Sequence, residues 1–437
     1  MKNLVALNFR ALFLFSIPSI FASLLEPLSG VVDTALVGRM NTQWLSAMGI
    51  AAIILSSFTW MFNFLIHAST QGVSEAYGKN DYSELCSRIK ISTLVALILG
   101  ILTSIILYLI RVPLYKFTGA SESLIPLVDE YFSVRILGHT VTLLFTTSLS
   151  QLRGLGKVRA SFFIVGLSTF SNIVLSWYFL YVLKIGLKGA AIGTVLGNVL
   201  GLIATIVVLS KSEIIKEFFK NSKFEREGLF TFGKNSLDLF GRSFSLTSCF
   251  FLCTKFAAGL GVTQLAAHQI LLQVWLFSSF FIDGVAITAN VVGANLKAKG
   301  DKESLRKMSS ILLGQGFLIG VFFSATYFLF DTYVQSLFTT DSKVIEELAK
   351  VWPLIALTQW FASVAYVYDG LLFGFGAFAF IRKHMMIGVF AVFLPLALLV
   401  FVYDNLLILW IALSVLLIYR AASGFYKTRS EVGVAHV

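Results

Sequence analysis

Residues 91–110 read ISTLVALILGILTSIILYLI, twenty positions without a charged side chain. Coiled as a helix, about twenty such residues cover the roughly 30 Å hydrocarbon core of a bilayer. Working outward, apolar runs of the same kind recur along the chain. They place helices near 11–38, 44–71, 89–112, 124–150, 158–182, 188–210, 230–258, 264–295, 306–330, 345–371, 379–402 and 405–425. Twelve such spans predict an all-α integral membrane protein. The first run has the basic flank of a signal peptide, Lys2 and Arg10, but it continues to Gly38, too long for a signal core. It reads as the first membrane helix.

Composition agrees. The chain of 437 residues is 57% hydrophobic and 13% charged, with a mean hydropathy of +0.84 and 42 Phe. A water-soluble core has no room for that much apolar surface, so lipid must cover much of it. The formal charge of +11 does not point to nucleic acid, because the lysines and arginines sit in short connections between apolar runs. Counted on alternate sides, 24 lie at the N-terminus, the even-numbered connections and the C-terminus, including Arg420, and 7 lie on the other side. Arg135, Arg242 and Lys255 remain within spans. This asymmetry predicts cytoplasmic termini and an even number of spans in a multi-pass cell-membrane protein of the bacterial inner-membrane kind. Cys86, Cys249 and Cys253 show no C-x-x-C spacing and read as small buried side chains.

The polar stretch from Lys211 to Lys234 divides the chain into a six-helix lobe at 1–212, a cytoplasmic linker at 213–229 and a second six-helix lobe at 230–437. The halves resemble each other at an offset of about 220 residues. Gly78-Lys79-Asn80-Asp81-Tyr82-Ser83-Glu84-Leu85 aligns with Ala298-Lys299-Gly300-Asp301-Lys302-Glu303-Ser304-Leu305, and Leu152-x-Gly154-x-Gly156 with Leu372-x-Gly374-x-Gly376. Two six-span repeats share one orientation, so they predict two pseudo-symmetric bundles able to rock about a central cavity.

These motifs resemble the multidrug and toxic compound extrusion (MATE) family, and within it the DinF-type branch. The resemblance is carried by Pro27-Leu-Ser-Gly-Val-Val-Asp33-Thr34-Ala-Leu-Val-Gly38-Arg39, Arg153-Gly154-Leu-Gly156-Lys157 and Gly189-Ala-Ala-Ile-Gly193-Thr194. In the second half it rests on Gln264-Leu-Ala-Ala-His268-Gln269-Ile, Asp283-Gly284-Val-Ala and Asp369-Gly370-Leu-Leu-Phe-Gly374. It covers roughly residues 10–425. It implies an antiporter that exports organic, often cationic or amphipathic, compounds against an inward flow of protons or sodium ions, from a cleft between two lobes. It implies no cofactor beyond the coupling ion, a small-molecule substrate, surrounding membrane lipid and a monomeric unit.

An ionisable side chain at bilayer depth costs ~2.5 kcal/mol or more, so each one needs a reason. Asp33 matches the family's coupling aspartate. A carboxyl taken out of water disfavours its anion and can hold a proton near neutral pH, and a sodium ion would satisfy the same oxygens, with Asn172 as a further ligand. The alternative places Asp33 at a helix mouth in outer water. Tyr131, Asn172 and Thr194 line up with the family's polar cluster. In isolation each reads as ordinary helix–helix hydrogen bonding. Ser176 stands where many relatives carry a second aspartate, four residues after the asparagine. A lone carboxylate is a weaker sodium site, which favours protons over sodium.

In the second half, Asp283 and Asp369 fit Asp-Gly motifs of the branch, and Lys255 sits midway along an apolar helix. These three are cleft candidates, with Lys255 expected to pair with Asp283 or Asp369, either in transport or as a static ion pair. Glu26, Arg135, His139, Asp238, Arg242 and His268 are further candidates for the cleft or helix ends, His268 near the outer end of its span where water reaches. Pro18 frees a backbone carbonyl and is either a gating hinge or a passive kink. Gly189, Gly193, Gly197 and Gly201 read as a packing face. A lipid-linked sugar flippase of the same superfamily would need extra spans and a strongly cationic cavity. A membrane-embedded enzyme would need a clustered catalytic set. His-E-x-x-His, G-x-S-x-G and P-loop motifs are absent, which also excludes ATP drive by this chain.

Overall fold

The computed structural model describes residues 4–211 and 226–433. The greater part of the expected linker, the cations Lys2, Lys216, Lys220 and Lys223, and the side chain of Glu26 lie outside the described residues. Among the described residues every regular element is a helix: α1 Phe9–Gly38, α2 Thr42–Met61, α3 Asn63–Lys79, α4 Tyr82–Leu109, α5 Arg111–Phe117, α6 Ile125–Leu137, α7 His139–Gly154, α8 Val158–Trp177, α9 Lys188–Ser210, α10 Arg226–Leu260, α11 Val262–Ala298, α12 Lys302–Leu329, α13 Asp331–Ser336, α14 Ser342–Gly374, α15 Phe378–Ile387, α16 Leu394–Leu398, α17 Val400–Tyr403 and α18 Leu406–Glu431.

Among the described residues, eleven helical stretches are long and apolar enough to cross a membrane. The remaining expected span, 124–150, is present as α6 and α7, divided at Gly138. Gly138 sits where the chain packs closely on α9: an added Cβ would lie 2.8 Å from Val195 Cγ1. Large apolar side chains such as Phe163, Phe251 and Phe322 point outward, as lipid-facing surfaces require.

The chain forms two packing units, Phe21–Lys234 and Met1–Ile20 with Asn235–Val437. Helix α1 therefore belongs to both. Its early residues pack in the second unit: Gln315 Nε2 donates to Phe9 O at 2.8 Å and Ser16 Oγ donates to Thr288 Oγ1 at 2.9 Å.

The internal repeat is visible in backbone detail. Asn80 and Gly300 both take a left-handed conformation, with φ of 54° and 69°. The next residues, Asp81 and Asp301, both cap a helix by accepting an N–H, from Glu84 at 2.8 Å and Ser304 at 2.9 Å. Gly156 and Gly376 also match, at φ of 73° and 65°. Gly154 and Gly374 each lie against a neighbouring backbone: an added Cβ would stand 2.8 Å from Thr70 O in one unit and from Ala289 O in the other. A π-helical turn follows in each, at Tyr178–Val182 and Gly388–Phe393. Cys249 and Cys253 are buried in the apolar core of the second unit, with Leu271 and Trp275.

Candidate functional site

In the first unit, α8 and α9 are drawn together by the glycine face of α9. An added Cβ at Gly193 would sit 2.6 Å from the Ser176 nitrogen, and one at Gly197 2.7 Å from Ser168 O. Backbones this close leave room for short polar side chains and no large ones. Asn172 on α8 and Thr194 on α9 face the same target. Asn172 Nδ2 and Thr194 Oγ1 each donate to Asp33 Oδ2 at 3.3 Å. Ser176 lies beside the carboxyl, and its hydroxyl donates to Ala190 O at 3.4 Å.

Asp33 is only 5% exposed, so it does not stand at an open helix mouth. Its Oδ1 and the Oδ1 of Asn172 are buried with no donor among the described residues. Tyr131 and Arg135, one turn apart on α6, act on Asp33 electrostatically, though neither bonds it among the described residues. The Arg135 Nε–H is itself buried without an acceptor among the described residues. Next along the chain, His139 is buried against Phe62, ring centroids 6.0 Å apart. The structure thus unites Asp33, Asn172, Thr194, Ser176 and Tyr131, and adds Arg135. A carboxylate, an amide and three hydroxyls, with two acceptor oxygens unfilled among the described residues, have the chemistry to accept a small positive species, a proton or a metal cation.

The second unit holds a different cluster. Asp369 on α14 receives two hydrogen bonds on one oxygen, from Arg242 Nη2 on α10 at 2.6 Å and Arg420 Nη2 on α18 at 2.7 Å. The Asp369–Gly370 pairing has a packing reason, because Gly370 abuts the Ala286 backbone of α11. Gly284, beside Asp283, likewise receives Ile20 of α1, 2.5 Å from its added Cβ to the Ile20 nitrogen. The Arg420 guanidinium lies over the Tyr366 ring at 5.1 Å and that of Arg242 over Phe373 at 5.0 Å. Asp283 is half-buried and acts electrostatically on Tyr366.

Three expectations change. Lys255 is exposed and makes no ion pair among the described residues; Asp369 is bonded instead by Arg242, thirteen residues earlier on the same helix, and by Arg420 on α18. Arg420 is not a cytoplasmic loop cation. It is 5% exposed within α18, and the signal was available: no charged residue separates it from the apolar run that starts at Leu406. His268 is fully buried and not water-exposed, its Nε2 3.4 Å from Thr254 Oγ1 and its ring against Trp410. Asp238 is accounted for by an ion pair with Arg382 at 2.8 Å.

Comparison with known proteins gives these clusters a family. The MatE profile matches this chain twice, over residues 18–178 and 239–400, so the same pattern fits each half. The chain is 27% identical to Protein DETOXIFICATION 43 of Arabidopsis thaliana, covering 95% of this chain and 89% of that protein. It is 26% identical to DNA damage-inducible protein F of Escherichia coli K12, covering 95% and 90%. Its fold matches the crystal structure of MATE in the bent conformation with a TM-score of 0.88 at 19% identity, over 96% of this chain and 94% of that one. The chain belongs to the MATE family of membrane transporters, proteins that move small molecules and are not enzymes.

Proposed function

We propose that this protein exports small organic compounds from the cytoplasm in exchange for protons, by alternating access, with Asp33 as the coupling carboxylate. The supporting observation is the buried Asp33 carboxyl, held on one oxygen by Asn172 and Thr194 and left without a donor on the other. A proton satisfies that oxygen with no further ligands. A sodium ion asks for several oxygen ligands and would sit near the Arg135 charge. One carboxylate and a nearby guanidinium therefore favour the proton. Multidrug roles appear in the names of related proteins, such as the probable multidrug resistance protein NorM of Thermotoga maritima, 23% identical over 94% of this chain.

Releasing the proton leaves a buried anion with Arg135 as its nearest internal counter-charge, and taking it up removes that attraction. An event of this kind biases which way the two repeats open. Pro18 is a fitting hinge: it lies two residues before the division of α1 between the packing units, and it cannot supply the N–H that the Leu14 carbonyl would accept. In this reading both termini face the cytoplasm, which the excess of lysine and arginine on one side supports, and the protein acts as a monomer in a bacterial inner membrane.

The test is transport in proteoliposomes, using a panel of organic cations, anions and neutral amphipaths under an imposed pH gradient. Transport should follow the gradient in the parent protein and vanish in Asp33→Asn. Full drive by a sodium gradient at fixed pH, lost in the same variant, would instead place sodium at Asp33 and Asn172.

A further inference from the structure

We propose that the groove between α10 and α15 in the second unit seats one anionic glycerophospholipid, its phosphodiester on Arg382 and Lys383 and an acyl chain against Leu237, Phe240, Met386 and Ile387. The inference rests on the membrane-spanning fold and is independent of the exporter reading.

The groove has its origin in a difference between the repeats. It encloses about 870 Å³ and follows α15 from Ala379 to Ile387, about 12 Å at the rise of a helix. An added Cβ at Gly241 would stand 3.1 Å from both Cγ and Cδ of Arg382, so the arginine stem lies against the glycine. At the repeat offset of 220 residues, Gly241 and Arg382 correspond to Phe21 and Phe162. Those two rings pack together, their centroids 6.2 Å apart. The first unit thus packs two phenylalanines where the second has a glycine and an arginine. Lys383 corresponds to Phe163, which is 71% exposed, as suits a residue facing lipid.

The placement of charge selects a lipid headgroup. The first unit keeps its cations at the start of α8, Lys157 and Arg159, and the matching positions in the second are Ala377 and Ala379. The second unit carries its pair further in, inside the apolar span Phe378–Tyr403 and past its first turn. Cations at this depth are costly unless their long side chains reach phosphates. Arg382 gives one Nη to Asp238 at 2.8 Å and still keeps 42% of its side chain exposed. Lys383 is exposed and makes no ion pair among the described residues. The neighbouring groups are already engaged. Lys427, over the Phe380 ring at 5.8 Å, pairs with Glu431 at 2.9 Å, His384 meets Tyr419 at 2.9 Å, and Arg242 is bonded to Asp369. Asp238 therefore answers one of the groove's two cations, and a net positive charge remains beside the apolar walls. A soluble anion would meet that charge but leave exposed Leu237, Met386 and Ile387 bare. A phosphodiester with an attached chain satisfies both.

The experiment is native mass spectrometry of the full-length purified protein titrated with phosphatidylglycerol or phosphatidylcholine, paired with melting in nanodiscs made with and without phosphatidylglycerol. Phosphatidylglycerol should be retained as a single tight adduct and raise the melting temperature, and phosphatidylcholine should do neither. Lys383→Gln changes an exposed position with no ion pair to break, so it should fold. It should weaken phosphatidylglycerol about fivefold, the scale of one basic side chain at an anionic headgroup. Lys383→Phe, which installs the residue of the first unit, should do the same. Lys255→Met, which removes an exposed cation elsewhere on α10, should leave the affinity unchanged and serves as the control. Equal retention of the two lipids by the parent protein would overturn the proposal. So would equal phosphatidylglycerol affinity in Lys383→Gln and Lys255→Met, or a melting shift that inorganic phosphate reproduces without lipid.

Discussion

Replacing Gly193 by alanine should damage both stability and coupling, and the size of the effect follows from the contacts. The new Cβ would lie 2.5 Å from Ser176 Oγ, 2.6 Å from its nitrogen and 2.9 Å from its Cα. The hydroxyl can rotate away, but the nitrogen and Cα are backbone. Ordinary contact distances start near 3.5 Å, so α8 and α9 must part by about 0.8 Å. Overpacking of this kind costs about 1–3 kcal/mol, partly offset by the ~1 kcal/mol that alanine gains over glycine within a helix. The functional loss should be sharper. Asn172 on α8 and Thr194 on α9 bond the same Asp33 oxygen, both already at 3.3 Å. If those helices separate by that amount, at least one bond exceeds hydrogen-bonding range. Thermal unfolding can be followed with a thiol-reactive dye, because Cys86, Cys249 and Cys253 are all buried until the protein opens. Gly30→Ala is the control, with nothing within 4 Å of its added Cβ. Gly193→Ala should melt lower than Gly30→Ala and show reduced proton-driven transport. Equal melting and full coupling in both would refute the claim that the close approach of α8 and α9 seats the site.

Three further outcomes are expected. Asn172→Ala removes a donor to Asp33 and should weaken proton-driven transport more than thermal stability, measured in proteoliposomes and by the same dye; a pure stability loss would assign Asn172 to packing. Lys255→Met should leave the melting temperature within about 1 kcal/mol-equivalent of the parent, since the lysine is exposed and makes no ion pair among the described residues; a large drop would reveal a partner. Asp301, in the connection before α12, is held below the usual carboxylate range by its hydrogen bonds from Ser304. A carboxyl depressed in the folded state contributes stability above its unfolded value and loses it as pH falls toward the folded value. Asp301→Ala should cost about 1 kcal/mol near neutral pH and flatten the acid side of the melting curve, and an unchanged curve would show that the cap is not stabilising.

The lengths of the spans and the repeat could be read from residue order because lipid imposes them. Apolar run length is fixed by bilayer thickness, and the paired motifs at Lys79-Asn80-Asp81 and Lys299-Gly300-Asp301 encode a local turn and cap. Asp33 with Asn172 and Thr194 was likewise accessible, through the family pattern. What hydropathy does not encode is the rotation of a helix about its axis, which the close glycine contacts set. Lys255 and Arg420 show the consequence. Both sit in apolar runs, and the rotation of α10 exposes one while the rotation of α18 buries the other beside Asp369. Gly138 is similar: what requires a glycine there is Val195, far away in sequence.

Each half holds a buried aspartate on a helix, Asp33 and Asp369, and the surroundings of the two differ in a way that bears on the proposed coupling. Asp33 is held by neutral donors, with its one nearby cation, Arg135, not bonded to it. Asp369 is bonded to two cations of the chain itself. A coupling ion has to compete with whatever already satisfies a carboxylate. Against two charge-assisted bonds of 2.6 and 2.7 Å, worth about 1.5–3 kcal/mol each, a proton or sodium ion gains little at Asp369. Of these two aspartates, Asp33 is therefore the one that suits the proposed coupling role. A proton-to-substrate ratio near one, measured from the reversal potential of transport, is the expected result, and a ratio of two would require Asp369 to release both arginines during the cycle.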